Sequence, residues 1–287
     1  MVNNDNIVNY WPYQIMIIDG KKIAEEIKNS LKKEIAILGK EMRLDVIQVG
    51  ENEVSEKFIN IKKKIGEEIG VKVLVHRFSD VVSEEDLLQT IREISLREET
   101  SGVIIQLPLP KNFNTQKVLD SVPVEKDVDF LSSQAKEKFK SVKSKILPPV
   151  VGAVRDILEN KKISLENKKI IVIGKGKLVG EPVSNWLKNL NAEVEAVDAE
   201  TKNIFEIIKN ADIIISGAGA PGLIKPEMIK NGVVIIDAST SELHGKLAGD
   251  ADPLCAEKCS VFTPVPGGVG PITVVELFKN LMVLNFE

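Results

Sequence analysis

The sequence predicts an α/β protein with two α/β domains, the second built on a doubly wound parallel sheet. Three observations support this fold class. The length of 287 residues suits about two domains. Helix and strand patterns alternate along both halves of the chain. Several strands are continuous apolar runs, which is typical of strands buried on both faces of a parallel sheet.

The first half opens with a predicted helix over residues 20–39, whose apolar residues recur at helical spacing and whose final Gly39 suits a C-terminal cap. A second helix over 54–69 carries one apolar face, made of Val54, Phe58, Ile61 and Ile65. Strands are predicted over 44–49, 71–78 and 102–109, and a charged helix over 83–98. This order is that of strand–helix–strand units with right-handed crossovers.

The second half begins after a polar, lysine-rich stretch over 132–147, which we interpret as the connection between the domains. Four further strands follow, over residues 168–174, 193–198, 211–219 and 232–239. Helical patterns separate the first of these strands, as a doubly wound sheet requires.

Composition narrows the function classes. The net charge of -4 gives no electrostatic reason to expect a nucleic acid partner. No continuous apolar run approaches the roughly 18 residues of a membrane span, and the first fifteen residues, interpreted as a loose extension, lack the pattern of a signal peptide. Cys255 and Cys259 have no second cysteine pair to complete a zinc site, and only His76 and His244 could serve as further zinc ligands. We therefore expect a cytoplasmic protein that holds no metal through its own ligands.

A glycine-rich turn follows the first strand of the second half. Gly174, Gly176 and Gly180 lie between this strand and a helical pattern, where glycines permit a tight turn and close approach of a pyrophosphate to the helix N-terminus. Asp198 closes the next strand, about where such folds place the acidic residue that binds the adenosine ribose. The simpler interpretation of Asp198 is that it starts a turn. We favour a Rossmann-type dinucleotide-binding domain.

The choice between cofactors stays open at this point. A carboxylate at position 198 would repel the extra phosphate of NADP, whereas Lys175 and Lys177 would attract it. The sequence favours NAD.

Two long motifs carry a family resemblance. The stretches TPVPGGVGPITVVELFKNL (263–281) and GVIIQLPLP (102–110) resemble the methylenetetrahydrofolate dehydrogenase/methenyltetrahydrofolate cyclohydrolase family, in which NADP is the common cofactor. Shorter matches fall in family order, among them EKDVDF (125–130), LVGEP (178–182) and AGAPG (218–222). The resemblance spans nearly the whole chain after Ile17.

This resemblance implies a folate-binding catalytic domain over 1–148, a dinucleotide-binding domain over 149–270, and a C-terminal helix over 271–287 that returns to the first domain. A cleft between the domains is implied, as is a homodimer. The implied catalytic residues are Lys62, Gln106 and Asp127. The implied substrate-binding residues are Phe58, Pro266, Gly267 and Gly268. The implied cofactor-binding residues are Gly174, Lys175, Gly176, Gly180, Asp198, Gly219 and Pro221.

The implied reaction moves hydride from methylenetetrahydrofolate to the nicotinamide and gives the methenyl cation, which water can then open to formyltetrahydrofolate. Lys62 would tune protonation or activate the water, Gln106 would orient it, and Asp127 would accept hydrogen bonds from the pterin. Spacing alone predicts otherwise for Lys62, because residues 62–64 form a charge run typical of a solvated helix face. Asp127 could equally cap a turn. Gln106 in an apolar strand needs buried partners.

The chain departs from the family pattern at four places. Phe58 replaces a tyrosine and therefore lacks its hydroxyl. The segment Pro148–Val151 replaces Pro-Cys-Thr-Pro, and Asp129 is followed by Phe130 where the family has Gly-Phe. In family members that use NADP, basic and hydroxyl groups contact the extra phosphate at two places. At the first place, Arg-Ser is replaced here by Lys175 and Gly176, and at the second, His-Ser is replaced by Asp198 and Ala199.

Two other functions remain open from the sequence. One is a Rossmann dehydrogenase that acts on another small substrate. The other is a folate- or nucleotide-binding relative without turnover. The presence of Lys62, Gln106 and Asp127 together favours an enzyme, because an inactive relative has no chemical need for all three.

Overall fold

The structure is a computed structural model that describes residues 15–198, 200–243 and 245–286. Most of the predicted N-terminal extension, Ala199 and the candidate ligand His244 therefore lie outside the described residues. The helices are α1 (Gly20–Leu38), α2 (Glu53–Ile69), α3 (Glu84–Ser95), α4 (Thr115–Leu119), α5 (Ser133–Lys140), α6 (Pro149–Asn160), α7 (Gly180–Asn189), α8 (Ile204–Ile208) and α9 (Val269–Phe286). The strands are β1 (Met16–Ile17), β2 (Met42–Val49), β3 (Val71–Phe78), β4 (Gly102–Ile105), β5 (Ile170–Ile173), β6 (Val194–Val197), β7 (Ile213–Ser216), β8 (Val233–Asp237), β9 (Ser241–Leu243), β10 (Lys246–Ala248) and β11 (Cys259–Phe262).

The first sheet is parallel and has the strand order β3-β2-β4. Both faces of β2 are covered, so its side chains alternate between two apolar cores rather than between core and solvent. β4 ends at Ile105, four residues before the predicted end of the strand. Pro108 and Pro110 lack the N–H group that a strand ladder needs, so pairing stops before them.

The second sheet is also parallel, with the strand order β1-β11-β8-β7-β5-β6. Within it the chain runs outward from β5 to β6, then returns to the other side of β5 and continues through β7 and β8. This reversal is the topological switch point of a doubly wound sheet, and the predicted fold class is confirmed. β1 pairs with β11 at the edge of this sheet, although the predicted boundaries assign residues 1–148 to the first domain. Those boundaries stay a prediction.

The connection between the two sheets is partly helical. The sequence predicts an irregular stretch over 132–147, but α5 forms there with Ser132 as its N-cap. Ser132 accepts a hydrogen bond from the N–H of Ala135, which is the ordinary capping arrangement. Ala135 and Phe139 fix the helix because both are buried in the core of the second sheet.

The last helix, α9, packs on α1 and α6 and also reaches α2. Among the described residues it is the one helix long and apolar enough to cross a membrane. Its apolar side chains instead enter the cores of both sheets, since Val275 lies in one core and Phe278 in the other.

The packed face of α2 differs from the predicted one. Val54, Phe58 and Ile61 are 52%, 42% and 45% exposed, whereas the buried face carries Ile59 and Lys62. Gly66 explains the difference. A Cβ at this position would lie 2.5 Å from Cγ2 of Val73 and 2.7 Å from the carbonyl oxygen of Val71, so only glycine allows this face to approach β3.

Candidate active site

A cavity of about 460 Å³ lies between the two sheets. Its first wall comes from α2 and the end of β4, and includes Phe58, Lys62 and Gln106. Its second wall comes from the glycine-rich turn after β5 and the start of α7, and its floor from α6 and α9. The structure therefore brings residues of both halves of the chain to one cleft at the carboxyl ends of parallel strands, where such folds bind ligands.

Lys62 and Gln106 form the polar centre of the first wall. The Lys62 ammonium donates to Oε1 of Gln106 at 2.8 Å, and Nε2 of Gln106 donates to the carbonyl oxygen of Leu107 at 2.8 Å. Lys62 is only 7% exposed, although its spacing predicts a solvated face. Burial lowers the pKa of Lys62, and the charge of Asp129 partly opposes this. Gln106 therefore fixes an amine that is easier to deprotonate than an ordinary lysine.

The carboxylate that faces this cavity belongs to Asp129, not to Asp127. The carboxylate of Asp127 is buried in its own turn, where the backbone N–H groups of Leu131 and Ser132 donate to it at 3.2 and 2.8 Å. Asp127 thus has the turn-capping arrangement that the sequence left open.

Asp129 lines the cavity together with Lys62. Burial raises the pKa of Asp129 to about 6, while the positive charge of Lys62 acts in the opposite direction. Sequence reasoning missed this residue because the motif EKDVDF contains two aspartates. Spacing could not separate them, because side chains two residues apart in an extended segment point to the same face.

The remaining predicted substrate residues divide into two groups. Phe58 lines the cavity with its ring. Pro266, Gly267 and Gly268 do not line it. They form a turn against the start of α1, where the N–H of Gly20 donates to the carbonyl oxygen of Gly267 at 2.9 Å. Val269, Gly270 and Thr273, which follow this turn, reach the cavity instead.

The glycine-rich turn has the geometry that a dinucleotide diphosphate needs. Gly174 has a φ of 99°, and neither it nor Gly180 has room for a Cβ, because the turn packs against itself and against the loop after β7. Gly176, in contrast, faces open space. No side chain caps the N-terminus of α7. The N–H of Glu181 donates to the carbonyl oxygen of Gly176 at 3.0 Å and Pro182 has no N–H, so the N–H of Gly180 is the group left for an anion at this helix start.

Lys175 and Asp198 form an ion pair beside this turn. The Lys175 ammonium lies 2.8 Å from Oδ2 of Asp198, and the hydroxyl of Thr201 donates to Oδ1 at 2.9 Å. The Lys175 hydrogen bond, followed by that of Thr201, holds the pKa of Asp198 below its ordinary value. The carboxylate is therefore fixed at the end of β6, where a ribose hydroxyl could donate to it.

The loop that contains Gly219 and Pro221 is held by a buried aspartate. Asp250 accepts hydrogen bonds from the backbone N–H groups of Ala218 and Ala220, both at 2.7 Å, and from the hydroxyl of Ser216 at 2.7 Å. Asp250 is fully buried, so these three donors compensate its desolvation. No local pattern in the sequence indicates this contact, because Asp250 lies 32 positions from Ala218.

The two cysteines have no sign of reactivity. Cys255 and Cys259 are buried, and burial raises the pKa of each thiol to about 12. The described residues contain no group of three or more His, Cys, Asp or Glu side chains suited to a metal ion.

The fold and the cavity together define a two-domain α/β protein of the dinucleotide-binding class, with one cavity that both halves of the chain line. Comparison with known families identifies both halves. The tetrahydrofolate dehydrogenase/cyclohydrolase catalytic domain matches residues 18–129, and the NAD(P)-binding domain of the same family matches residues 148–286. The chain belongs to the tetrahydrofolate dehydrogenase/cyclohydrolase family, as its motifs predict.

Individual relatives match this chain in sequence and in structure over almost its whole length. It is 37% identical to the bifunctional protein FolD of Caldanaerobacter subterraneus over 268 residues, which are 93% of this chain and 95% of that protein. The structure of the bifunctional enzyme FolD from Campylobacter jejuni superimposes with a TM-score of 0.91 at 33% identity and covers 95% of this chain and 99% of that one. The Trypanosoma brucei enzyme, solved with NADP and an inhibitor, has a TM-score of 0.88 at 30% identity and covers 94% and 96% of the two chains.

The charge coupling across the first wall can be measured directly. In a carbon-detected NMR titration we expect the Asp129 carboxyl to titrate near pH 6, because burial raises its pKa to about 6. Lys62→Met should move this titration to higher pH, since the cation that favours the carboxylate is removed. The control Lys63→Met changes an exposed neighbour and should leave it unmoved. An unchanged Asp129 titration in Lys62→Met would show that the two groups do not interact.

Proposed function

We propose that this chain oxidises methylenetetrahydrofolate to methenyltetrahydrofolate with a nicotinamide dinucleotide and then hydrolyses the product to formyltetrahydrofolate. The observation that carries the proposal is the juxtaposition in one cavity of a buried Lys62–Gln106 pair, the Asp129 carboxylate and a glycine-rich turn of the dinucleotide-binding type. Family membership supports both activities, because the matched domains are named for a dehydrogenase and a cyclohydrolase.

The residues of the second wall fit a dinucleotide. The open space at Gly176 and the uncapped N-terminus of α7 would hold the diphosphate, and Asp198 would hold the adenosine ribose. When bound, the nicotinamide supplies the acceptor for the hydride. The loop of Gly219 and Pro221, which Asp250 fixes, follows residues 217 and 218, which pack against Gly174 of the glycine-rich turn.

The residues of the first wall fit a reduced pterin. The Asp129 carboxylate would accept hydrogen bonds from its N–H groups, and the ring of Phe58 would stack on it. Lys62, held by Gln106, lies where it can donate a proton to or accept one from the reacting nitrogen or the attacking water. Its lowered pKa suits this work, because the amine gives up its proton more easily than an ordinary lysine.

Phe58 is expected to weaken the hydrolytic step. It lies one helical turn before Lys62 and also lines the cavity, but it has no hydroxyl to share a proton with the amine. Hydride transfer does not require that hydroxyl. The dehydrogenase step should therefore exceed the cyclohydrolase step.

The direct test is to incubate the protein with methylenetetrahydrofolate and either NAD or NADP, and to follow reduced cofactor, methenyl product and formyl product separately. We expect cofactor reduction with accumulation of the methenyl product. Binding of tetrahydrofolate without reduction of either cofactor would favour a folate-binding protein without turnover. Reduction only with another small substrate would favour a dehydrogenase whose cleft has been adapted to that substrate.

Phe58→Tyr should raise the ratio of cyclohydrolase to dehydrogenase rate by about three- to tenfold, the amount that one added hydrogen bond contributes. Phe58→Leu removes the ring without adding a hydroxyl and serves as the control, which should not raise the ratio. The two rates are measured on the same preparation. An unchanged ratio in Phe58→Tyr would contradict the role given to the missing hydroxyl.

NAD is the proposed preferred cofactor. Lys175 is already engaged by Asp198 at 2.8 Å, so the extra phosphate of NADP would meet a carboxylate and would have to compete with it for the lysine. This supports the preference that the sequence analysis favours.

Asp198→Ser should raise the ratio of kcat/KM for NADP to that for NAD by about tenfold, because it removes the repulsion and frees Lys175. Glu200→Gln makes the same change of charge two residues away at an exposed position and should not alter the ratio. The measurement is steady-state kinetics with both cofactors. Equal ratios in the parent and Asp198→Ser would show that the carboxylate does not select the cofactor.

We also propose a cytoplasmic homodimer. β9 and β10 form an antiparallel hairpin outside the main sheet, and Leu243 and Leu247 on it are half exposed. A second copy of the chain would cover this apolar surface. Sedimentation that gives the mass of one chain would contradict the dimer.

A further inference from the structure

The helix α5 lies in the connection between the domains, but it is fastened to the dinucleotide-binding half. The Lys140 ammonium lies 2.7 Å from Oε1 of Glu181 at the start of α7, and Nδ2 of Asn189 at the end of α7 donates to the carbonyl oxygen of Phe139 at 3.4 Å. The ring of Phe139 is buried in the same core as Trp186 and Leu187 of α7. α5 is therefore a fixed part of the wall beside the glycine-rich turn.

Lys136 lies one helical turn before Lys140 on α5 and lines the cavity. Lys177, in the glycine-rich turn, lines the cavity as well. Burial lowers the pKa of Lys136, and the positive charge of Lys177 lowers it further, whereas the carboxylates of Asp127, Asp120 and Glu181 act in the opposite direction.

Neither lysine is neutralised by a close partner in the part of the chain that the structure describes. Lys140 pairs with Glu181 and Lys175 pairs with Asp198, but no carboxylate lies within 4.0 Å of the ammonium of Lys136 or Lys177. The two ammonium groups repel each other, and no directly bonded carboxylate offsets this repulsion. Such a pair is stabilised when a doubly anionic group binds between its members.

We propose that Lys136 and Lys177 together bind the diphosphate of the nicotinamide dinucleotide, so that a residue outside the glycine-rich turn contributes to cofactor affinity. This rests on the proposed function. Lys177 belongs to the turn whose open Gly176 and uncapped α7 suit a diphosphate, and the Lys140–Glu181 pair fixes α5 beside the same helix start. The other anion of this reaction is the pair of carboxylates on the glutamate side chain of tetrahydrofolate.

The experiment compares the binding of ADP and adenosine by calorimetry, because the two ligands differ by the diphosphate alone. The variants are Lys136→Gln and Lys177→Gln. Lys138→Gln is the matched control, since Lys138 is on the same helix, pairs with Glu125 on the outer side at 3.9 Å and does not line the cavity. Tetrahydrofolate binding and thermal unfolding are measured on the same four proteins.

We expect each cavity variant to weaken ADP binding by about tenfold, the usual effect of losing one charge-assisted hydrogen bond. Adenosine binding and tetrahydrofolate binding should not change, and the control should match the parent. The unfolding midpoint should not fall, because each cavity variant relieves the repulsion between the two cations. Unchanged ADP binding in both cavity variants would overturn the proposal. So would a loss confined to tetrahydrofolate, which would assign the pair to the carboxylates of the substrate.

Failure of the proposed function has a different signature. A parent protein that reduces neither NAD nor NADP would contradict the reaction. The ADP comparison requires no turnover, so it would still test the lysine pair.

Discussion

The cleft depends on the insertion of one helix, α9, into the cores of both sheets. Its first half buries Val269, Ile272 and Val275 against the second sheet, and its second half buries Leu277, Phe278 and Leu281 against the first. Each of these side chains is nearly inaccessible, so separation of the two sheets would expose a continuous apolar stripe. The distance between the two cavity walls is therefore set by close packing rather than by a flexible linker.

Polar contacts of the same helix reinforce this constraint. Nδ2 of Asn280 donates to the carbonyl oxygens of Val128 at 3.0 Å and Leu147 at 2.8 Å, and so holds both ends of the connection that contains α5. Burial, together with the nearby carboxylate of Asp156, raises the pKa of Glu276 to about 7. Because α9 also supplies part of the cavity floor, the element that joins the sheets also shapes the site.

The parallel strands were predictable because their apolar runs are a local property. The strand over 71–78 is predicted at its observed bounds, and β5 and β8 fall inside their predicted segments. The face of α2 was not predictable from spacing, because burial there is decided by the close approach of Gly66 to β3, a contact that periodicity does not contain. The same contact turns Lys62 inward, so the catalytic role proposed for this lysine came from the family motifs alone.

The choice between Asp127 and Asp129 shows the same limit within one motif. Both are aspartates in a loop, and the sequence does not record which of them receives the N–H groups of residues 131 and 132. The structure decides because one carboxylate completes its own turn and the other remains free to face the cavity. β1 was missed for a comparable reason, since two residues are too few for a pattern and their partner β11 is more than 240 residues away.

The lysines of the cleft show how one residue type acquires three chemical roles. Lys175 and Lys140 are paired with carboxylates, so they fix the end of β6 and the position of α5 and add little net charge. Lys62 is buried against a neutral amide, and its environment therefore favours loss of the proton. Lys136 and Lys177 line the same cavity and have no directly bonded carboxylate among the described residues, which is the ground for the anion-binding role proposed for them. Charge counting along the sequence treats these residues as equal, whereas the partner of each ammonium group separates the paired lysines from the proton-transfer role proposed for Lys62 and the anion-binding role proposed for Lys136 and Lys177.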